Sequence, residues 1–330
     1  MRRALFAASV VAVVVAISAC SSIEPVAEAA PPAPVDPGPQ PTETAYATSG
    51  WQLQTDILSP LEDRIHVDLE TAEVDASGLA LYRDLTTGEV AHHPIVNAQY
   101  AMTAIREYDR TGDEKWLSRA VRNAEELIAT RVEREGAWWY QYDWDWTYLE
   151  RTLVAPWWSG MAQGEALFVF SRLAMMQPDN PAWREAADRT WDSFPQRGWR
   201  NTEPWSTVVL DGNLWFEEYA GSVPPLRVMN GHVFAIFGLY EYWLLTGDAT
   251  VAQYIDGGAT TILDVMPLIR AEGDVTYYCA QPDYCRVPAW QNATYHPIHI
   301  QQLQALGRIT GDDRFDEWAT LLEGDWQPEE

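Results

Sequence analysis

His232-Val-Phe-Ala-Ile-Phe-Gly-Leu-Tyr-Glu-Tyr-Trp-Leu-Leu245, closed by Thr246-Gly247-Asp248, is the stretch on which the fold turns. It is apolar nearly all round, as a helix buried on both sides must be. The closing triplet is a turn signal. It returns as Thr111-Gly112-Asp113 and Thr310-Gly311-Asp312, and Pro178-Asp179-Asn180 stands in the corresponding place between the first two. A recurrence of about 65 residues fits one helical hairpin plus its connection, repeated. A first helix precedes each turn, over 97–109, 161–176, 232–245 and 298–309. A second helix with a single apolar stripe follows. Trp116, Leu117, Ala120, Val121, Ala124, Leu127 and Ile128 make one stripe; Trp183, Ala187, Trp191 and Phe194 another; Phe315, Trp318, Ala319 and Leu322 a third. Inner buried helices alternating with outer amphipathic ones predict a mainly α fold. The expected architecture is an incomplete (α/α) toroid of about four helical hairpins, with short β-strands in the loops and around 79–93.

Working outward, the turns within hairpins are short, whereas the connections between hairpins, 134–158, 195–228 and 268–297, are long. In a toroid they emerge on one rim, and long ordered loops on one rim usually carry function. They are dense in Trp and Tyr. The inner helices also begin with polar residues: Asn97 and Gln99, Gln163 and Glu165, Asn230 and His232, His299 and Gln301. These features predict a cleft for an elongated ligand stacked on aromatic rings. At its centre the loop 215–231 gathers Glu217, Glu218, Tyr219 and Arg227, and Pro224 and Pro225 keep it from becoming helix. The plain alternative is a solvated pair of glutamates beside a packed tyrosine.

The ends and the composition set limits. Arg2 and Arg3, an apolar run and Ile17-Ser18-Ala19-Cys20 read as a secretory signal over 1–19. The last four residues resemble a bacterial lipobox, which implies a lipid-modified Cys20, an extracytoplasmic location and membrane contact through that lipid alone. Residues 20–49 are rich in Pro, Ala and acids, and are expected to form a tether. Residues 50–330 are expected to form one domain. A formal charge of −26 excludes nucleic acid as a natural partner. Seventeen tryptophans and fifteen tyrosines suit sugar faces, although they also fill cores. Cys279 and Cys285 read as a disulfide closing a small loop in an oxidising compartment. No metal or other cofactor is expected, since His296 and His299 lack an evident third ligand. A homodimer stays open.

At Pro156-Trp157-Trp158-Ser159-Gly160-Met161-Ala162-Gln163-Gly164-Glu165-Ala166 the chain resembles the D-glucuronyl C5-epimerases. Glu217-Glu218-Tyr219 followed by Asn230-Gly231 is similar to a second motif of that family. Met266-Pro267-Leu268 leading to Tyr277, and Tyr295-His296-Pro297-Ile298-His299-Ile300-Gln301-Gln302-Leu303, resemble the last two. Ala220 stands where the family has proline, and Ala280 stands near the place of a family arginine. The large N-terminal β-rich part of the animal enzymes has only about 50–96 in its place. The resemblance implies inversion of C5 of glucuronate to iduronate within a uronate-containing polysaccharide. It makes Tyr219, Tyr277 and Tyr295 the catalytic tyrosines and Glu218 the candidate base, with Glu218 and Tyr295 as the opposed pair. Trp157, Gln163, Glu165, Glu217, Arg227, Asn230, His296 and His299 are the expected substrate-binding residues. Arg286 joins Arg227 as a candidate cation for the substrate carboxylate. Three competing readings are a glycoside hydrolase using Glu165 and Glu218, a lyase sharing the C5 abstraction, and a lipid-tethered glycan-binding protein.

Overall fold

The computed structural model describes residues 45–60, 66–84, 87–199 and 203–327. The signal segment, Cys20 and the tether up to residue 44 lie outside the described residues. Four helical hairpins follow one another: α1 (Pro94–Thr111) with α2 (Glu114–Thr130), α3 (Gly160–Met176) with α4 (Pro181–Trp191), α5 (Met229–Thr246) with α6 (Ala249–Ile269), and α8 (His296–Thr310) with α9 (Arg314–Asp325). A single short turn of helix, α7 (Pro282–Cys285), lies in the last long connection. Inner helix packs on inner helix in chain order, α1 on α3, α3 on α5 and α5 on α8, while α1 and α8 do not pack extensively on each other. The chain is thus an incomplete α/α toroid.

Every residue of the Thr-Gly-Asp turn has a task. Gly112, Gly247 and Gly311 sit at φ 68°, 68° and 71°, the left-handed region that ends a helix. Their N–H groups return to Tyr108, Trp243 and Gly307 carbonyls. The Thr111, Thr246 and Thr310 hydroxyls donate back one helical turn and accept the N–H of Asp113, Asp248 and Asp312. Asp113 and Asp248 then cap the outgoing helix by accepting from Lys115 and Thr250. Each inner helix starts slightly earlier than its apolar run, because the polar first turn belongs to it and Pro297 is tolerated there.

The closest helix crossing joins α3 and α5. A Cβ built on Gly238 would fall on the Gly164 carbonyl, and one on Gly164 would strike the Ala235 backbone. Only the absence of those side chains lets the two backbones meet. The long connections carry two-stranded antiparallel hairpins. These are β3 (Val132–Arg134) with β4 (Ala137–Trp139), β5 (Trp146–Tyr148) with β6 (Arg151–Leu153), and β7 (Thr207–Leu210) with β8 (Asn213–Phe216). Another hairpin, β1 (Tyr82–Arg83) with β2 (Val90–Ala91), precedes α1. The turns Glu135-Gly136 and Asp211-Gly212 have positive φ at both residues, as a two-residue hairpin requires.

Neighbouring connections are stitched together on one rim. Trp158 pairs with Ala220, Gly160 N–H donates to the Glu217 carbonyl, and Ala280 N–H donates to the Arg227 carbonyl. One expectation needs correcting at the edge of the tether. Residues 45–49 are docked on the fold, because Asp256 of α6 accepts the N–H of Ser49 and Gly50 and the Tyr46 ring packs edge-on against Tyr254.

Candidate active site

The same device builds the rim four times. A polar side chain of each inner helix binds the strand-like segment before it and reaches the outer-helix layer. Asn97 donates to the Ala80 carbonyl (3.1 Å) and to Asn123 of α2. Gln163 accepts the Tyr140 N–H (3.0 Å) and donates to the Trp138 carbonyl and Ser193. His232 accepts the Phe216 N–H at Nδ1 (3.0 Å) and donates from Nε2 to the Gly258 carbonyl (3.0 Å). His296 does the same with the Thr276 N–H and the Leu322 carbonyl, each at 3.0 Å. A ring that accepts at one nitrogen and donates at the other is neutral. Burial lowers both histidines, His232 to about 4. Two residues beyond the anchored groups stand Tyr82, Tyr142, Glu218 and Tyr278, all on this rim.

Gln163 and His296, expected among the substrate-binding residues, have their side-chain polar atoms engaged by the scaffold. The same holds for Glu217. Its carboxylate accepts the N–H of Tyr219 (3.2 Å) and of Arg227 (2.8 Å), clasping the loop and holding Arg227 at a left-handed φ of 60°. The Arg227 guanidinium turns to the exposed Asp211 (2.9 Å). Arg286 is exposed and donates to the Pro267 carbonyl.

Glu218 is the centre. It is buried, and a Cβ on Gly231 would overlap its Oε2, so the first turn of α5 must be bare there. Its Oε1 accepts the Tyr278 hydroxyl at 3.1 Å, and the Tyr219 hydroxyl lies 3.1 Å from that of Tyr278. Either hydroxyl of the Tyr219–Tyr278 pair can donate to the other, so the carboxyl and the two phenols form one hydrogen-bonded cluster of three. Burial pushes Glu218 up to about 7, aided by the Glu217 charge and opposed by the Tyr278 and Tyr219 hydroxyls and the Gly231 N–H. Burial, and then the Glu218 charge, push Tyr219 and Tyr278 well above an ordinary phenol, so both are proton donors rather than bases. Tyr295, half-buried at the head of α8, packs its ring 4.6 Å from that of Tyr278.

Tyr277 does not join this cluster, and the expectation is corrected. Its backbone pairs with Gln291, and its ring lies under the Arg286 guanidinium, 5.6 Å away. The adjacent Tyr278 takes the place, because His296 fixes Thr276 and residue i+2 shares its side. The other expected residues form the walls. The Trp157 ring stacks on Tyr142 at 3.8 Å and stands 6.1 Å from Tyr219. Glu165 is buried and accepts from Gln99 (3.0 Å). Asn230, in the first turn of α5, is buried with Oδ1 lacking a hydrogen-bond partner, and His299 likewise at Nε2 while Nδ1 meets the Thr276 hydroxyl (2.9 Å). His299 is neutral, lowered to about 3 by burial. Among the described residues no group of three His, Cys, Asp or Glu could hold a metal. Cys279 and Cys285 are joined, closing the loop next to Tyr278.

Fold and rim together define an α/α-toroid protein with a buried carboxyl and three phenols at the head of the inner helices. The chain belongs to the D-glucuronyl C5-epimerase C-terminus family, whose sequence model matches residues 132–323, more than half of its length. Among solved structures it is similar to a D-mannose isomerase, with TM-score 0.52 and 12% identity over 76% of this chain. It is likewise similar to an alpha-1,6-mannanase from Salegentibacter sp. HEL1_6, with TM-score 0.52 and 13% identity over 82% of this chain. The chain spans 63% of the isomerase and 70% of the mannanase. At such identities the likeness concerns the fold alone.

Proposed function

We propose that the chain is a uronosyl C5-epimerase, inverting C5 of D-glucuronate residues to L-iduronate within a polysaccharide. The observation that carries this reading is Glu218, a buried carboxyl poised near neutrality and bonded to a phenol. The C5 hydrogen is α to the C6 carboxylate. Ionised Glu218 takes that proton, and the electron pair left on C5 delocalises into the carboxylate as an enolate. Tyr278 touches Glu218 and so shares its side of the sugar. Tyr295 returns a proton to C5 from the other face, leaving Glu218 protonated and Tyr295 as phenolate. Proton exchange with solvent resets the pair. A base near neutral pKa maximises the product of correct protonation and driving force. Asn230 and His299, with buried polar atoms that lack protein partners, are the groups for the substrate oxygens, and Trp157 is a stacking wall. The signal and lipobox reading adds that the enzyme works outside the cytoplasm, anchored through Cys20.

Incubation of uronate polymers in heavy water tests the reading. Deuterium at C5 of uncut polymer supports it. New reducing ends mean a hydrolase and unsaturated ends a lyase. Binding without exchange means a carrier.

A further inference from the structure

We infer that Arg151, aligned by Gln281, is an anion-binding point of the cleft that takes the carboxylate of a sugar next to the one being inverted. This rests on the uronate reading for the identity of the polymer. The chain carries 48 acids against 22 bases, and among the described residues Arg151 shares the lack of an ion pair with Arg106, Arg119, Arg189 and Arg286; what sets it apart is its contact with the loop that follows Tyr278. Arg151, on β6, is half-buried, and among the described residues no carboxylate lies within ion-pair distance of it. Its Nη1 donates to Gln281 Oε1 at 2.7 Å, and its guanidinium lies 3.5 Å from the centre of the Tyr284 ring. Stacking and a neutral acceptor hold the planar fork in place while leaving its charge uncompensated. An unmatched half-buried cation costs desolvation that an arriving carboxylate offsets.

Its position fits the cleft. Gln281 and Tyr284 belong to the loop that Cys279 and Cys285 close, immediately after Tyr278. From the cluster outward, Trp290 stacks on Tyr278 at 6.1 Å, Tyr284 packs on Trp290 at 5.5 Å, and Arg151 covers Tyr284. The same hairpin brings Tyr148 to 5.5 Å from Tyr219. Arg151 thus stands beyond a layer of aromatic rings from the Tyr278–Glu218 pair, which is the ground for assigning it to a neighbouring sugar and not to the reacting one. It supplies the local positive point that an acidic protein needs to hold a polyanion.

The test is titration calorimetry of the full folded domain with a glucuronate-containing oligosaccharide, and with the same oligosaccharide after its carboxyls are reduced to alcohols. Arg151→Gln, which keeps a donor toward Gln281 but no charge, is expected to weaken the acidic ligand about tenfold and the reduced one by less than about twofold. Arg151→Lys is expected to restore much of the salt-sensitive affinity. Equal losses for both ligands, or no loss for either, overturn the inference. C5 exchange measured in parallel on the wild type keeps the two claims apart. Charge-selective loss without any C5 exchange upholds Arg151 and removes the epimerase reading. Exchange with no charge-selective loss does the reverse.

Discussion

Replacing Glu218 by Gln is expected to abolish turnover and stabilise the protein in alkaline solution at the same time. The folded Glu218 titrates at about 7 against an ordinary 4.5. The folded state therefore holds this proton where the unfolded state has released it. Stability is lost as pH rises from the unfolded value through the folded one, and the penalty is complete above about 7. At about 1.4 kcal/mol per pH unit the gap is worth at most about 3–4 kcal/mol. Gln keeps a carbonyl to accept the Tyr278 hydroxyl and carries no charge to desolvate. Urea unfolding of both proteins at pH 5 and pH 8.5 isolates the effect, because other titrating groups cancel in the difference. Little difference at pH 5 and a Gln variant about 2–3 kcal/mol more stable at pH 8.5 is the expected pattern. The same difference at both pH values, or a Gln variant weaker at pH 8.5, would refute a buried carboxyl held near neutrality.

Other substitutions probe the site and its frame. Tyr278→Phe is expected to lower turnover about 100-fold, as loss of the hydroxyl that holds and tunes the general base does, whereas Tyr277→Phe retains most of it; initial rates of C5 exchange separate the two. Tyr295→Phe is expected to remove turnover with the circular dichroism spectrum intact. Gly238→Ala, normally favourable in a helix by about 1 kcal/mol, is expected instead to cost about 1–3 kcal/mol, because the methyl meets the Gly164 carbonyl. Chemical denaturation reads the sign directly. His232→Ala is expected to cost about 2–4 kcal/mol by orphaning the Phe216 N–H and the Gly258 carbonyl, and to slow turnover through the displaced Glu218.

The helical hairpins were legible because their causes are local. Thr-Gly-Asp ends one helix and caps the next within three residues, and the apolar runs state which helices are inner. The loop that carries Glu217 and Glu218 to the head of α5 was legible through a local motif as well. What each polar residue at the inner helix heads touches was not. His296 and His299 lie one turn apart, yet one braces the backbone of Thr276 and α9 while the other faces inward with a vacant nitrogen. Only the packing of the outer helix decides between them. Tyr277 and Tyr278 are chemically identical neighbours, and the anchoring of Thr276 by a residue 20 positions on sets which of them faces Glu218. The contact of Arg151 with the loop after Tyr278 was invisible, since its partner Gln281 is 130 residues away in the chain.

In the proposed reaction Glu218 and Tyr295 exchange the C5 proton of a uronate across the sugar ring. Proton NMR of an all-glucuronate polymer held with the enzyme in heavy water tests it most directly. Iduronate signals growing in, deuterium at C5 of both epimers and an unchanged chain length are expected. A polymer that stays all-glucuronate with its C5 protons intact, under conditions where it binds, would contradict it.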